Sequence, residues 1–143
     1  MSEYSVLLVD DEEEFVEVLA DRLEARDLEV ETAENGEVAL AKAGRKVFDA
    51  ILLDLAMPGM DGIETLKGLL EINSDLQVIL LTGQATLGQA VDAMKMGALD
   101  FLEKPVDIDV LVAKIDDAAR KRSSLEDQRI QEKMDEILRK KGW

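Results

Sequence analysis

The chain has 143 residues, close to the size of one ordinary domain, so a single hydrophobic core is expected. Its composition, 47% hydrophobic and 34% charged, can fill a core and keep a solvated surface, which excludes wholesale disorder. The net charge of −15 and the aromatic content of 3% disfavour direct nucleic-acid binding, because an acidic surface repels phosphates and few rings can stack on bases.

Histidine and cysteine are absent, which excludes disulfides, thiolate nucleophiles, imidazole bases and zinc sites of the Cys/His kind. Any chemistry must therefore use oxygen and ammonium groups. The first residues lack a basic region followed by an apolar stretch, and no later run approaches the roughly 18 apolar residues of a membrane span. A soluble, cytoplasmic protein without membrane contact is the expectation.

Short apolar runs alternate with longer stretches of helical period, a pattern that predicts a parallel sheet covered on both faces. The first, third and fourth runs are almost wholly aliphatic, as is typical of strands buried on both faces, whereas the second alternates polar and apolar residues and is predicted at an edge. The five predicted strands are residues 5–9, 29–32, 50–53, 78–81 and 100–102.

The connections predict five helices. Acidic residues 12–14 suit the positive end of the first helix, Asn35 is a candidate cap for the second, and Gly97 is a candidate end for the fourth. The fifth helix is predicted over residues 108–122. The inward-facing residues predicted from helical spacing are, helix by helix, Phe15, Val18, Leu19 and Leu23; Val38, Leu40 and Ala41; Ile63, Leu66, Leu69 and Leu70; Leu87, Val91, Met94 and Met96; and Leu111, Val112, Ile115 and Ala119.

The charge changes sign near residue 120. Residues 120–143 carry a net charge of +3, which leaves −18 for residues 1–119. Residues 124–127 resemble a helix start, and an apolar stripe follows, so the segment is predicted to be a further helix or a continuation of the fifth. The predicted organisation is one domain over residues 1–122 and a helical extension over 123–143. The stripe consists of Ile130, Met134, Ile137 and Leu138.

Polar residues follow the predicted central strands. Asp10 and Asp11 follow the first strand, Asp54 the third, Thr82 the fourth and Lys104 the fifth. The carboxyl ends of parallel strands meet at one edge of a doubly wound sheet, where such sheets bind ligands. We therefore expect these side chains to lie together.

Three converging carboxylates repel one another unless a cation accompanies them. Oxygen ligands with open coordination positions favour Mg²⁺, which shares its remaining positions with phosphate. Lys104 and Thr82 suit phosphoryl oxygens. The pattern predicts a phosphoryl-handling site in which Asp54 is the nucleophile candidate and Asp10 with Asp11 is the metal-binding pair.

Four motifs occur in an order and spacing that resemble the receiver domain of two-component response regulators: LLVDDE (7–12), LLDLAMPGMDG (52–62), LLTG (80–83) and DFLEKP (100–105). The resemblance covers roughly residues 4–120, and residues 82–105 are most similar to receivers of nitrogen-regulation-type activators or their stand-alone relatives. It implies an α/β, CheY-like (flavodoxin-like) fold with a five-stranded parallel sheet in the order 2-1-3-4-5, to which this chain adds a C-terminal helical tail.

The resemblance also implies roles for single residues. Asp54 accepts the phosphoryl group and contacts Mg²⁺, Asp11 ligates Mg²⁺ directly, and Asp10 does so through water or by orienting the site. The backbone carbonyl of Ala56 is the further ligand. Three more residues shape the loop beside the acceptor: Pro58, Gly59 and Gly62.

Other implied roles concern the response to phosphorylation. Thr82 and Lys104 bind phosphoryl oxygens, and Phe101 is the aromatic that swings inward as Thr82 moves. The bond between Lys104 and Pro105 is the family's cis peptide.

The implied partners are a sensor histidine kinase or a histidine phosphotransfer protein as phosphodonor, and a downstream protein that binds the face of the fourth helix, fifth strand and fifth helix. A homodimer is left open. The chain is expected to be a phosphoacceptor with self-catalysed phosphotransfer and dephosphorylation, not a turnover enzyme.

A stand-alone receiver or phosphorelay intermediate is favoured, because no DNA-binding domain is visible after residue 120. One alternative is the truncated receiver of a DNA-binding transcription activator. Another is a phosphatase of the haloacid dehalogenase type, although such enzymes carry a second Asp where this chain has Ala56. A flavodoxin-like flavin carrier is disfavoured by the acidic first loop and the scarcity of aromatic residues.

Overall fold

The computed structural model describes residues 4–56, 62–83 and 86–142. Within these ranges strands and helices alternate, and the predicted strands are confirmed. The last four strands each run one residue further than predicted, so that Asp54 and Thr82 belong to the sheet. In chain order the elements are β1 (Ser5–Val9), α1 (Glu13–Glu24), β2 (Glu29–Ala33), α2 (Gly36–Arg45), β3 (Ala50–Asp54), α3 (Gly62–Ile72), β4 (Val78–Thr82), α4 (Leu87–Met96), β5 (Asp100–Glu103) and α5 (Ile108–Lys140).

The sheet is parallel and has the strand order β2-β1-β3-β4-β5, which confirms the predicted fold class and the edge position of β2. Val9 pairs with Leu53, and Asp54 pairs with Leu81, so the carboxyl ends of the central strands are level. None of the helices in the described part of the chain combines the length and the apolar character that a membrane span requires.

The two faces of the sheet have separate apolar cores, because alternate strand residues point to opposite sides. In β1, Leu7 and Val9 pack with α2, α3 and α4, whereas Val6 and Leu8 pack with α1 and α5. Strands β3 and β4 are buried along their whole length. The fully covered central strands explain why their sequences are aliphatic rather than alternating.

Helix faces were predicted less accurately than strands. In α4 the core contacts come from Ala90 and Ala93, because small side chains let the helix backbone approach the sheet and turn its larger residues outward. Four residues predicted to face inward are instead exposed: Val18, Ala41, Leu87 and Val91.

Two predicted helix ends are confirmed. The Asn35 side chain accepts a hydrogen bond from the Val38 N–H at 2.9 Å and caps α2. Gly97 ends α4 in the left-handed conformation, with φ of +119°, which glycine adopts without steric cost.

The C-terminal segment continues the fifth helix, which settles the two alternatives that the sequence left open. α5 is one helix of 33 residues, and its core contacts end at Ala119. Beyond that point Arg122 binds Asp49 at 2.9 Å, and Arg129 binds Asp75 through two nitrogens. The first part of the extension is therefore fastened to the loops that precede β3 and β4.

Candidate functional site

The predicted site residues lie where four strands end. Asp10 directly follows β1, Asp54 is the last residue of β3, Thr82 is the last residue of β4, and Lys104 directly follows β5. Because these strands are parallel and nearly level, their ends form one rim of the sheet, the carboxyl edge.

In the part of the chain that the structure describes, three carboxylates converge on this edge. Oxygen atoms of Asp10, Glu12 and Asp54 all lie within 4.8 Å of one another. Asp10 and Asp54 are 2% and 4% exposed, whereas Glu12 lies at the surface. Backbone N–H groups orient the two buried acids: the Glu12 N–H donates to Asp10 Oδ1 at 3.0 Å, and the Ala56 N–H donates to Asp54 Oδ1 at 3.1 Å.

Lys104 supplies the positive charge of the cluster. Its Nζ lies 2.9 Å from Asp10 Oδ2, 3.1 Å from Glu12 Oε1 and 3.8 Å from Asp54 Oδ2. It also lies 4.2 Å from the centroid of the Phe15 ring, a cation–π distance. Burial by itself lowers the pKa of Lys104, but the hydrogen bonds to Asp10 and Glu12 outweigh it and raise the pKa, so the ammonium stays charged.

The surroundings of Asp54 make its carboxyl hard to ionise. Burial raises the pKa of Asp54 to about 6, and the charge of Asp10 adds to that rise. The Ala56 N–H and the Lys104 charge act in the opposite direction without cancelling it. Near neutral pH the group is ionised but weakly solvated, a state that favours contact with a cation or reaction as a nucleophile.

The donor set fits Mg²⁺. Only oxygen ligands converge, and three carboxylates share one ammonium group, so the cluster carries a deficit of positive charge. Hard divalent cations prefer such oxygens, and Mg²⁺ is commonly held by one or two carboxylates.

The structure adds Glu12 to the predicted acids, while Asp11 lies beside Asp10 in a neighbouring surface cavity. The Asp11 side chain is exposed and lines a surface cavity with Asp10, Glu13 and Glu34. Glu12 was read from the sequence as a partner of the helix dipole, a role that Glu13 and Glu14 fill in the first turn of α1. Its place as the third acid of the loop before α1 is the signal that could have found it.

The remaining predicted residues surround the acids. Thr82 is fully buried, its Oγ1 donates to the Leu102 carbonyl at 3.4 Å, and its own carbonyl accepts from the Lys104 N–H at 2.8 Å. Phe101 is half-buried against the core shared with α2, α3 and α4. The predicted cis bond between Lys104 and Pro105 is confirmed.

Gly62, the first residue of α3, packs against the end of β3. A Cβ on Gly62 would lie 2.5 Å from Leu55 Cα and 3.0 Å from the Asp54 carbonyl oxygen, so no larger residue fits there without moving the backbone. Gly62 thus brings α3 close to the end of β3. Ala56 is exposed just after β3, and Pro58 and Gly59 lie outside the described residues.

Known proteins are similar to this chain in sequence and in fold. The family model of the response regulator receiver domain matches residues 6–116. The transcriptional regulatory protein ZraR of Klebsiella oxytoca is 41% identical over 79% of this chain and 26% of its own length. The DNA-binding transcriptional regulator NtrC of Salmonella typhimurium is 41% identical over 79% of this chain and 24% of its own. The chain thus spans about a quarter of the length of these relatives.

A solved receiver domain superposes on this chain over nearly its whole length. The response regulator receiver domain protein of Clostridium thermocellum superposes with a TM-score of 0.82 at 31% identity, over 85% of this chain and 98% of that one.

Proposed function

Because the chain belongs to the response regulator receiver family, we propose that it is a phosphorylation-activated signalling switch whose acceptor is Asp54. The observation that carries the proposal is the Asp54 carboxylate itself: it is 4% exposed, has a pKa raised to about 6, and lies beside one ammonium group and two further acids. The chain has no histidine and does not supply the phosphohistidine itself, so the proposed donor is a sensor histidine kinase or a histidine phosphotransfer protein.

In the proposed reaction an Asp54 oxygen attacks the phosphorus atom, the bond between phosphorus and the donor histidine nitrogen breaks, and that nitrogen keeps the electron pair. Mg²⁺, held by Asp10, Asp11, Asp54 and the Ala56 carbonyl, would supply charge neutralisation for the phosphoryl oxygens. Water later cleaves the acyl phosphate. In this proposal the chain is phosphorylated once and returns to its starting state when the acyl phosphate is hydrolysed. It does not turn over free phosphate esters.

Phosphorylation changes the contacts of Lys104 and Thr82 in this proposal. A phosphoryl group on Asp54 offers Lys104 a stronger partner than Asp10 and Glu12, and it offers the Thr82 hydroxyl an acceptor that replaces the long contact to Leu102. Phe101 then turns inward. To convert a 1:99 equilibrium into 99:1, these contacts must favour the active state by roughly 5.5 kcal/mol.

The output surface is the face of α4, β5 and α5. Leu87 and Val91 on α4 are 39% and 52% exposed, which provides an apolar patch for a downstream protein. A stand-alone receiver or relay intermediate would bind a separate partner through it. The ZraR and NtrC relatives are transcriptional regulators and favour the other candidate, in which the receiver controls a DNA-binding activator.

The acceptor is tested with a radiolabelled small-molecule phosphodonor and Mg²⁺. Asp54→Asn should abolish the label, whereas Asp75→Asn, the same substitution at an arginine-paired aspartate, should label like the natural sequence. Undiminished labelling of Asp54→Asn removes Asp54 as acceptor. Sustained hydrolysis of p-nitrophenyl phosphate over many turnovers would instead support a phosphatase.

A further inference from the structure

The end of α5 carries an apolar stripe that the receiver body does not cover. Ile130, Met134 and Ile137 are 50–55% exposed, and Leu138 is 38% exposed. Their spacing of four, seven and eight residues places them on one side of the helix. Four large apolar side chains on one exposed helix face need a partner surface.

We propose that this stripe pairs in antiparallel orientation with the same stripe of a second copy of the chain. The pairing goes beyond the phosphoacceptor function and does not depend on it, since the stripe is exposed without phosphorylation.

The helix is held so that the stripe stays accessible. Arg122 and Arg129 bind Asp49 and Asp75 and fix the side of the helix that faces the receiver body. At 3.6 residues per turn, the stripe lies about a third of the circumference away from these arginines. A second helix can therefore lie along the stripe beside the body.

Charges at the two ends of the stripe select a second copy and its orientation. Asp127 precedes the stripe and Lys141 follows it, and helical spacing places both on the stripe side. In a parallel pair each of these residues would face its own copy, a like charge. In an antiparallel pair Asp127 faces the partner's Lys141, an opposite charge, at both ends of the stripe.

The charge of the whole chain favours the same orientation. Residues 120–143 carry +3 and residues 1–119 carry −18. Antiparallel pairing brings the basic end of each extension close to the acidic body of the partner, whereas parallel pairing gathers the basic ends together.

The pairing is tested first by measuring mass in solution over a concentration series. We expect the chain of 15.8 kDa to reach twice that mass. Met134→Glu should raise the dimer Kd at least about tenfold, because it places a charge in the apolar contact. Gln128→Glu adds the same charge on the opposite side of the helix and should leave the Kd unchanged. A natural sequence that stays monomeric at millimolar concentration overturns the proposal.

The orientation of the two helices is tested by cross-linking introduced cysteines. The natural sequence has no cysteine, so only the introduced thiols react. Chains with Asp127→Cys and chains with Lys141→Cys are treated with a short bismaleimide, each alone and then mixed. The antiparallel pair should cross-link only in the mixture, because it sets position 127 against position 141 and leaves two copies of the same position about 21 Å apart. Cross-linking of either variant to itself, without a product specific to the mixture, overturns the antiparallel arrangement. Met134→Cys, near the symmetry axis, should cross-link to itself and shows that the reagent works.

Discussion

Aspartates lie at both ends of the sheet, but their electrostatic surroundings are opposite. At the amino edge, where the strands begin, Asp49 binds Arg122 and Asp75 binds Arg129, so each of these two carboxylates is paired with an arginine. At the carboxyl edge, three carboxylates of the described residues share the ammonium group of Lys104. The same side chain is thus fully paired at one end and under-compensated at the other.

The pKa values follow this difference. The hydrogen bonds from Arg129 hold the pKa of Asp75 below its ordinary value, whereas burial raises the pKa of Asp54 to about 6. Arginine pairing serves to fasten α5 to the body. At the carboxyl edge, the deficit of positive charge instead allows a cation or a transferred group to bind. This contrast distinguishes the carboxyl edge from the amino edge.

The largest expected effect comes from removing the acceptor's charge. Because the folded-state pKa of Asp54 is raised from 3.8 to about 6, ionisation costs native stability as pH rises through 6. Asp54→Asn keeps the shape of the side chain without the charge, so it should stabilise the protein by about 3 kcal/mol at pH 8. Urea unfolding without Mg²⁺ measures the difference.

The pH dependence serves as the control for that prediction. Below about pH 4 both carboxylic acid and amide are neutral in folded and unfolded chains, so the two stabilities should converge. An Asn variant that is less stable than the natural sequence at pH 8 would mean that the carboxylate edge is already compensated, and the contrast between the edges would fail.

Tight packing beside the acceptor gives the next effect. Gly62→Ala would place a Cβ against the Leu55 backbone and should destabilise the fold by about 1–3 kcal/mol, with slower phosphorylation because the end of β3 must shift. Gly44→Ala in α2 meets no atom within 4 Å and should stabilise instead. Thermal unfolding of both variants tests whether the contact between Gly62 and Leu55 is constrained, and equal stabilities would contradict that constraint.

The sequence predicted those features that depend on chain-local signals. Aliphatic runs predicted the strands. The position of Asp54, Thr82 and Lys104 at the ends of those runs predicted that they meet, because parallel strands all have their carboxyl ends at the same edge of the sheet. The cap at Asn35 and the end at Gly97 also follow from single residues.

Features that depend on side-chain reach were missed. Glu12 joins the acids, and the Phe15 ring lies under Lys104, only because the loop before α1 and the turn after β5 approach each other in space. The burial of Ala90 and Ala93 rather than Leu87 and Val91 depends on how close α4 lies to the sheet, which hydrophobic spacing alone does not determine.

The affinity for Mg²⁺ should depend on pH, because the charge deficit at the carboxyl edge depends on the ionisation of Asp54. Mg²⁺ requires ionised Asp54, whose pKa is about 6, so the affinity should fall about tenfold between pH 7 and pH 5. The free energy of this change is about 1.4 kcal/mol. Isothermal titration in two buffers of different ionisation enthalpy also reports the proton released. Asp54→Asn should bind more weakly and lose this part of the pH dependence; an unchanged profile would assign the proton to another group.

The smallest effect is expected at the amino edge, and its sign is the opposite of that at Asp54. Asp75→Asn removes a carboxylate whose lowered pKa stabilises the fold above its ordinary pKa, so stability at pH 7 should fall by about 0.5 kcal/mol, the value typical of an exposed ion pair. The loss should shrink as pH falls through the lowered pKa, since the natural carboxylate is then protonated as well.

Arg129→Gln should cost a similar amount, and combining both changes should cost no more than either alone, because the two residues form one interaction. If Asp75→Asn stabilised the protein as Asp54→Asn is expected to do, pairing with arginine would not be what separates the two edges.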